Sequence, residues 1–328
     1  MKPRPKADKL LCVAPMMAWT DRHCRFFHRL FAPSARLFTE MVSTHTLVHG
    51  RKWQHLDYNP EEHPVTLQLG GNDPAELAFC TKEAFSRGFD EVNLNIGCPS
   101  DRVQNGAFGA CLMKEPERVA QCVAAMSAVS KKPVTVKCRL GLNGADSDER
   151  LHHFINCVSQ SGCSRFYVHA RIAVLEGLSP AQNRNIPPLQ PERVAMLKNA
   201  FPHLEIILNG GIKDLESANQ HVGWADGVMI GRAAYHDPSL LTECHRNFVE
   251  PKFYPDKFTL LATYVDYAHK AYASGARLQR LIKPLLGACK GMPGAASYRR
   301  ILSDPARLRA GDLSVFADAL GHVFEQAA

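Results

Sequence analysis

Short apolar runs recur along this chain, each followed by a polar turn and then by a stretch with helical spacing. They are Leu11–Met17, Arg36–Val42, Val65–Leu69, Glu91–Ile96, Val134–Cys138, Arg165–His169, Glu205–Leu208 and Gly227–Ile230. A continuous run such as Ile206-Ile207-Leu208 suits a parallel strand covered on both faces. The intervening segments carry helix signals. Asp73-Pro74 sets a capping carboxylate before a proline at the first helical position, and Leu77, Thr81, Ala84 and Phe85 then share a face. Glu115-Pro116 opens another helix, with Val119, Val123, Met126 and Val129 inside and Lys131-Lys132 at its end.

Eight β–α units over about 240 residues predict an α/β fold, a (β/α)8 TIM barrel. A doubly wound sheet would place G-x-G-x-x-G after a strand, and none of these strands is followed by one. The alternation ends near Pro238, and from about Thr259 the pattern is helical, broken at Lys283-Pro284, Gly291-Met292-Pro293-Gly294 and Asp304-Pro305. The expected division is a catalytic barrel over 1–245 and a small all-helical domain over 246–328, joined through the loose segment Glu250–Lys257.

Composition narrows the class. A hydrophobic fraction of 45% with 22% charged residues is that of a water-soluble globular chain. No run approaches a membrane span, and Met1 to Lys9 is basic and Pro-rich with no apolar signal core, so a cytoplasmic protein is expected. The 11 cysteines include no Cys-x-x-Cys pair, and Cys122, Cys138, Cys157 and Cys163 sit in apolar periodic segments. That suits reduced core thiols rather than a disulfide framework or a metal site. The net charge is +7, and its distribution is uneven: Lys270 to Arg309 holds nine Lys/Arg against Asp304 alone. Such a one-sided stretch suits either a solvated helical face or a polyanionic partner.

In a barrel the chemistry lies at the C-terminal strand ends. The polar residues there are Glu40, Gln68, Asn93, Asn95, Cys98, Lys137, Arg139, His169 and Arg171, with Pro15-Met16-Met17 at the first end. Asn209-Gly210-Gly211 after strand seven and Gly231-Arg232 after strand eight together predict a phosphate site, because glycines let backbone N–H groups approach an anion. Lys137 suits a Schiff base, a phosphate, or the anion that develops on a reduced flavin. Gln68 offers a donor and an acceptor to an amide-like ring edge, and His169 is a ligand or a half-buried strand residue. Cys98 lies between Gly97 and Pro99 ahead of a glycine-rich loop, Asn105 to Ala110. It has no evident histidine partner, so a general-acid role fits better than a nucleophilic one.

The strings Ala14-Pro15-Met16-Met17-Ala18-Trp19-Thr20-Asp21, Thr39-Glu40-Met41, Gln68-Leu69-Gly70-Gly71, Asn93-Leu94-Asn95-Ile96-Gly97-Cys98-Pro99, Val136-Lys137-Cys138-Arg139-Leu140-Gly141, Val168-His169-Ala170-Arg171, Asn209-Gly210-Gly211-Ile212 and Ile230-Gly231-Arg232-Ala233 stand in this order. Together the set resembles that of the tRNA-dihydrouridine synthases and spans the barrel. Gly177 to Leu189 resembles the bacterial A subfamily, which acts on uridines 20 and 20a of the D loop; Asn185 departs from it where an acid is expected.

The resemblance implies tightly bound FMN across the barrel mouth. Its phosphate would lie on Asn209, Gly210, Gly211, Gly231 and Arg232, with Gln68, Lys137 and His169 around the ring and ribityl chain, and Pro15, Met16 and Met17 under the ring. NADPH would be the reductant, Cys98 the proton donor to C5 of a flipped uracil, and Asn95 a contact to that base. An ordinary thiol, with a pKa of about 8.5, holds a proton at neutral pH yet can release it. The tRNA contacts implied are Asn183, Arg184, Arg299 and Arg300, with Arg139 and Arg171 nearer the pocket, on a monomer. Three rivals stand beside this reading: a flavin barrel acting on a free pyrimidine, a Schiff-base aldolase using Lys137, and a noncatalytic RNA-binding barrel.

Overall fold

The structure, a computed structural model, describes residues 9–327; the basic opening up to residue 8 lies outside them. Eight strands follow one another with helices between: β1 (Leu10–Val13), β2 (Leu37–Ser43), β3 (Val65–Gly70), β4 (Glu91–Ile96), β5 (Val134–Arg139), β6 (Arg165–His169), β7 (Glu205–Asn209) and β8 (Gly227–Ile230). All pair in parallel in the order β1-β8-β7-β6-β5-β4-β3-β2. The ring closes through a single bridge between Cys12 and Arg36. There Val13 donates to the Arg36 carbonyl at 2.9 Å and Arg36 to that of Leu11 at 2.8 Å. The expected TIM barrel is what the chain forms.

Two details differ from the pattern reading. The first strand stops at Val13, not Met17. Pro15 has no N–H for a ladder, and the Met16 carbonyl instead accepts from Trp19 and Thr20 in a tight turn. Val129 is 38% exposed, because the helix Pro116–Ala128 ends just before it and leaves it as the cap. Val119, Val123 and Met126 are buried as expected, and the helix Pro74–Ser86 is capped by Asp73.

Strand β2 carries a bulge between Phe38 and Met41. Thr39 stitches it: its hydroxyl accepts from the Gln68 N–H at 3.1 Å and donates to the Glu40 carbonyl at 2.8 Å. A bulge re-aims the side chain it displaces, which brings Glu40 to the barrel mouth.

After the last strand the chain is helical, beginning with Arg232–His236 and Ser239–Phe248 and continuing from Lys257–Ala273 to Ser314–Ala327. These later helices share one apolar core with the barrel's first helix, Arg22–Phe31. Phe26 stacks on Tyr267 with centroids 3.9 Å apart, and Phe27 meets Tyr264 edge-on at 4.7 Å. No helix among the described residues is long and apolar enough to cross a membrane.

Candidate active site at the barrel mouth

Two features converge where the strands end: a cationic cradle beside β5 to β8, and a cavity between the Cys98 loop and the C-terminal helices. The cradle begins with Gly210 and Gly211, whose φ values of 103° and 77° lie in the left-handed region. A Cβ on Gly210 would stand 2.7 Å from His169 Cδ2, and one on Gly211 would stand 2.3 Å from Leu189 Cδ2, so both positions are shaped by close approach. Asn209 is buried and turned back, its amide donating to the Met229 carbonyl at 2.9 Å. It braces the turn.

Around these glycines stand Lys137, Arg139, His169, Arg171, Arg184 and Arg232. Burial, followed by Arg139, pushes Lys137 down to about 8. His169 is driven well below the usual imidazole range by burial and then by Arg139, Lys137, Arg171 and Arg184. Burial also lowers Arg171 and Arg184, and Arg232 beside each adds to it. Among the described residues no carboxylate figures among the charges acting on these cations, and such crowding is costly until an anion arrives, so the residues fit a phosphate-bearing group. Asn185, where an acid was expected, holds Arg232 through a neutral amide oxygen at 2.8 Å and leaves the cradle its full charge.

Cys98 lies half-buried on the loop after β4. Asn95 Oδ1 accepts from the backbone N–H of Gly97 at 3.1 Å and of Cys98 at 2.9 Å, and the Cys98 carbonyl accepts from Ala110 at 2.9 Å. The thiol is 3.5 Å from Ser100 Oγ. It opens onto a cavity of ≈ 910 Å³ that is also lined by Met17, Glu40, Met41, Ser100 and Phe108. The same cavity is lined by Arg22, which pairs with Asp57 at 3.9 Å, by Asp21, and by Arg277 and Arg280 from the C-terminal part. Cys98 and the basic C-terminal stretch therefore face the same space.

Glu40 was given no role from its sequence position. Its carboxylate accepts from the N–H of Ala18, a non-glycine residue at φ 63°, and so clamps the strained Pro15–Met17 turn. Burial pushes this carboxyl up. Its place among the polar residues at the strand ends and in the Thr39-Glu40-Met41 string marked the position without revealing the clamp.

The remaining expected site residues divide. Pro15 and Met16 are half-buried, Met17 is 60% exposed at the mouth, and Gly231 opens the short helix that carries Arg232. Gln68 is 1% exposed and bonded at both ends of its amide, to Asn93 at 2.8 Å and Asn95 at 2.9 Å. Arg299 and Arg300 are exposed on the helix Ala295–Leu302.

Two expected RNA contacts are placed inside instead. Asn183 has no exposed surface; its amide donates to the Val174 and Leu178 carbonyls and accepts from the Val174 N–H. Arg139 is 3% exposed and donates to the carbonyls of Gly97 at 3.0 Å and of Ile172 and Asn183 at 2.9 Å. Both brace loops, with their bonding groups turned away from solvent. Within the basic stretch Arg307 is likewise committed, to Asp312 and Asp318 at 2.6 and 2.7 Å.

The sequence matches the family model described as dihydrouridine synthase over residues 12–319. Among curated relatives, the tRNA-dihydrouridine(20/20a) synthase of Vibrio vulnificus is 49% identical over 315 residues, 95% of this chain and 96% of that one. The protein of the same name from Shigella flexneri is 50% identical over 310 residues, 94% of this chain and 91% of that one. Among solved structures, the old yellow enzyme homologue from Zymomonas mobilis aligns with a TM-score of 0.52 at 12% identity, over 71% of this chain and 87% of that one. A 2-naphthoyl-CoA reductase aligns at 0.55 and 11% identity, over 71% and 49%. These two alignments speak to the barrel alone.

Proposed function

The chain belongs to the dihydrouridine synthase family, and from that premise we propose that it reduces the C5–C6 double bond of uridines 20 and 20a in the tRNA D loop, with FMN as cofactor and NADPH as reductant. The observation that carries this reading is the shared cavity of ≈ 910 Å³, which Cys98 lines together with Arg277 and Arg280 of the C-terminal part. A proton donor for the base and cations for the phosphates meet in one place, and a free pyrimidine would leave those cations unused.

FMN, when bound, supplies hydride chemistry at C6 of the uracil ring. Gly210, Gly211, Gly231 and Arg232 would hold its phosphate, with Arg171 beside Arg232, and Gln68, Lys137 and His169 would lie around the ring and ribityl chain. Negative charge developing on the reduced ring would offset the burial and the Arg139 charge that lower Lys137, and so help it stay charged. His169 stays neutral and serves as a hydrogen-bond partner rather than a counter-ion. Glu40 fixes the turn on which Pro15, Met16 and Met17 support the ring. The Cys98 thiol gives its proton to C5, and the thiolate left behind is reprotonated from solvent, with the Ser100 hydroxyl in reach. Arg184, Arg299 and Arg300 are the proposed outer contacts to RNA, with the helical residues 246–328 as the gripping part of a cytoplasmic monomer.

The test is direct. The purified protein should be yellow and, with NADPH and unmodified tRNA, form dihydrouridine at position 20. Cys98→Ala should lose about 10²-fold or more in rate while keeping its flavin, as expected for removal of a general acid. A yellow protein that ignores tRNA and reduces a free pyrimidine would overturn the assignment.

A further inference from the structure

Below the mouth, the barrel interior holds a chain of polar side chains that the reaction above leaves unassigned as a unit. It starts at Glu91, fully buried at the first position of β4, which receives Arg165 Nη1 at 2.7 Å and the Tyr167 hydroxyl at 2.9 Å. Thr135 Oγ1 lies 2.8 Å from Glu91 Oε1, and Asn93 Nδ2 lies 2.9 Å from Thr135 Oγ1. Gln68 Nε2 reaches Asn93 Oδ1 at 2.8 Å, and Asn95 Nδ2 reaches Gln68 Oε1 at 2.9 Å. Asn95 Oδ1 then takes the backbone N–H of Cys98 at 2.9 Å. Four side chains thus join a carboxylate at the barrel floor to the backbone of the reactive thiol.

Both ends of this chain fix its direction. A carboxylate flanked by guanidinium groups accepts and does not donate, so the Thr135 hydroxyl spends its only proton on Glu91. Its lone pair must then receive an N–H, which turns the Asn93 nitrogen toward Thr135 and the Asn93 oxygen toward Gln68. The same reasoning passes through Gln68 to Asn95. At the upper end backbone N–H groups only donate, so Asn95 must meet them with its oxygen. The two constraints agree at every link. No amide in the series can flip without breaking a bond on each side of it, in a setting where a lost partner is costly.

We propose that Glu91 and Thr135 are positioning residues, which act through this one-way chain to fix the amide orientations of Gln68 and Asn95 and so hold the Cys98 loop. The inference rests on the reading of Cys98 as proton donor, because a donor must sit within hydrogen-bond reach of the atom it serves. The register of four neighbouring strands, β3 to β6, builds the chain: Gln68 pairs with Asn93, Asn93 with Thr135, and Lys137 with Tyr167.

Thr135→Val keeps the shape and removes the hydroxyl; Thr135→Ser restores it. Two readouts apply to the purified protein: the rate of Cys98 alkylation by iodoacetamide, followed by peptide mass spectrometry, and single-turnover dihydrouridine formation on unmodified tRNA. The expected result for Thr135→Val is several-fold faster alkylation and a turnover slower by about tenfold, with little change in KM for tRNA. Thr135→Ser should return both to wild-type values. Should Thr135→Val prove too unstable to purify, Gln68→Met cuts the chain two links higher and is read by alkylation alone. Wild-type alkylation and turnover in the cut variant, or a serine variant no better than valine, would overturn the proposal. If wild type makes no dihydrouridine, the proposed function fails while the alkylation comparison still decides the chain.

Discussion

Lys137 shows how one residue can be poorly suited to the empty fold and well suited to the loaded one. Its pKa falls to about 8 because burial and Arg139 disfavour its charge. In the unfolded chain the same amine titrates near its ordinary value of about 10.5. A lowered folded value means that the unfolded state binds the extra proton between these two limits. The flavin-free protein therefore gains stability from this group as pH rises from 8 toward 10.5, and bears the full penalty below 8. Lys137→Met should raise the melting temperature of flavin-free protein at pH 7, flatten that rise, and weaken flavin retention. A lower melting temperature with an unchanged pH slope would contradict this. The residue types at such positions were legible in the sequence, because a lysine or cysteine at a strand end interrupts an apolar run. Their partners were not. Asn183 and Arg139 carry the same polar signature as surface contacts, and only the folded loops reveal that their bonds are spent indoors.

At the scale of elements, seven strand ends read within a residue or two from apolar runs, since strands covered on both faces leave a continuous apolar trace. The first overran because Met16 and Met17 extend the run, while the missing N–H of Pro15 decides the outcome. The chain from Glu91 to Asn95 left no trace of that kind, because it depends on which residues stand abreast in neighbouring strands. Loops pose the same difficulty. Arg139 ties the Cys98 loop to the segment 172–184 through three carbonyls. Arg139→Met should cost on the order of 2–3 kcal/mol, as expected for losing bonds from a buried charged donor. Hydrogen exchange should quicken at 97–100 and 172–184 and stay slow in β4 to β6. Uniform quickening across the barrel would show that Arg139 supports the whole sheet instead.

For the whole molecule, the C-terminal helices share a core with the barrel: Phe26 and Phe27 on one side meet Tyr264, Tyr267 and Leu281 on the other. Tyr264 is fully buried, and its hydroxyl donates to the Leu281 carbonyl at 2.8 Å. Calorimetry should therefore show one unfolding transition, and Tyr264→Ala should lower the stability of all of it by about 3–5 kcal/mol. Two resolved transitions would mean that the helical part folds independently. The ring itself is uneven. Seven of its joints carry a ladder of three or more paired residues, while the joint between β1 and β2 rests on one bridge at Arg36. Mechanically the barrel is a rolled strip fastened by a latch, and a pulling force would part it there first. Because the Arg36 guanidinium also reaches Glu91 at 3.6 Å, slack in the latch would be felt as lost tension under Cys98.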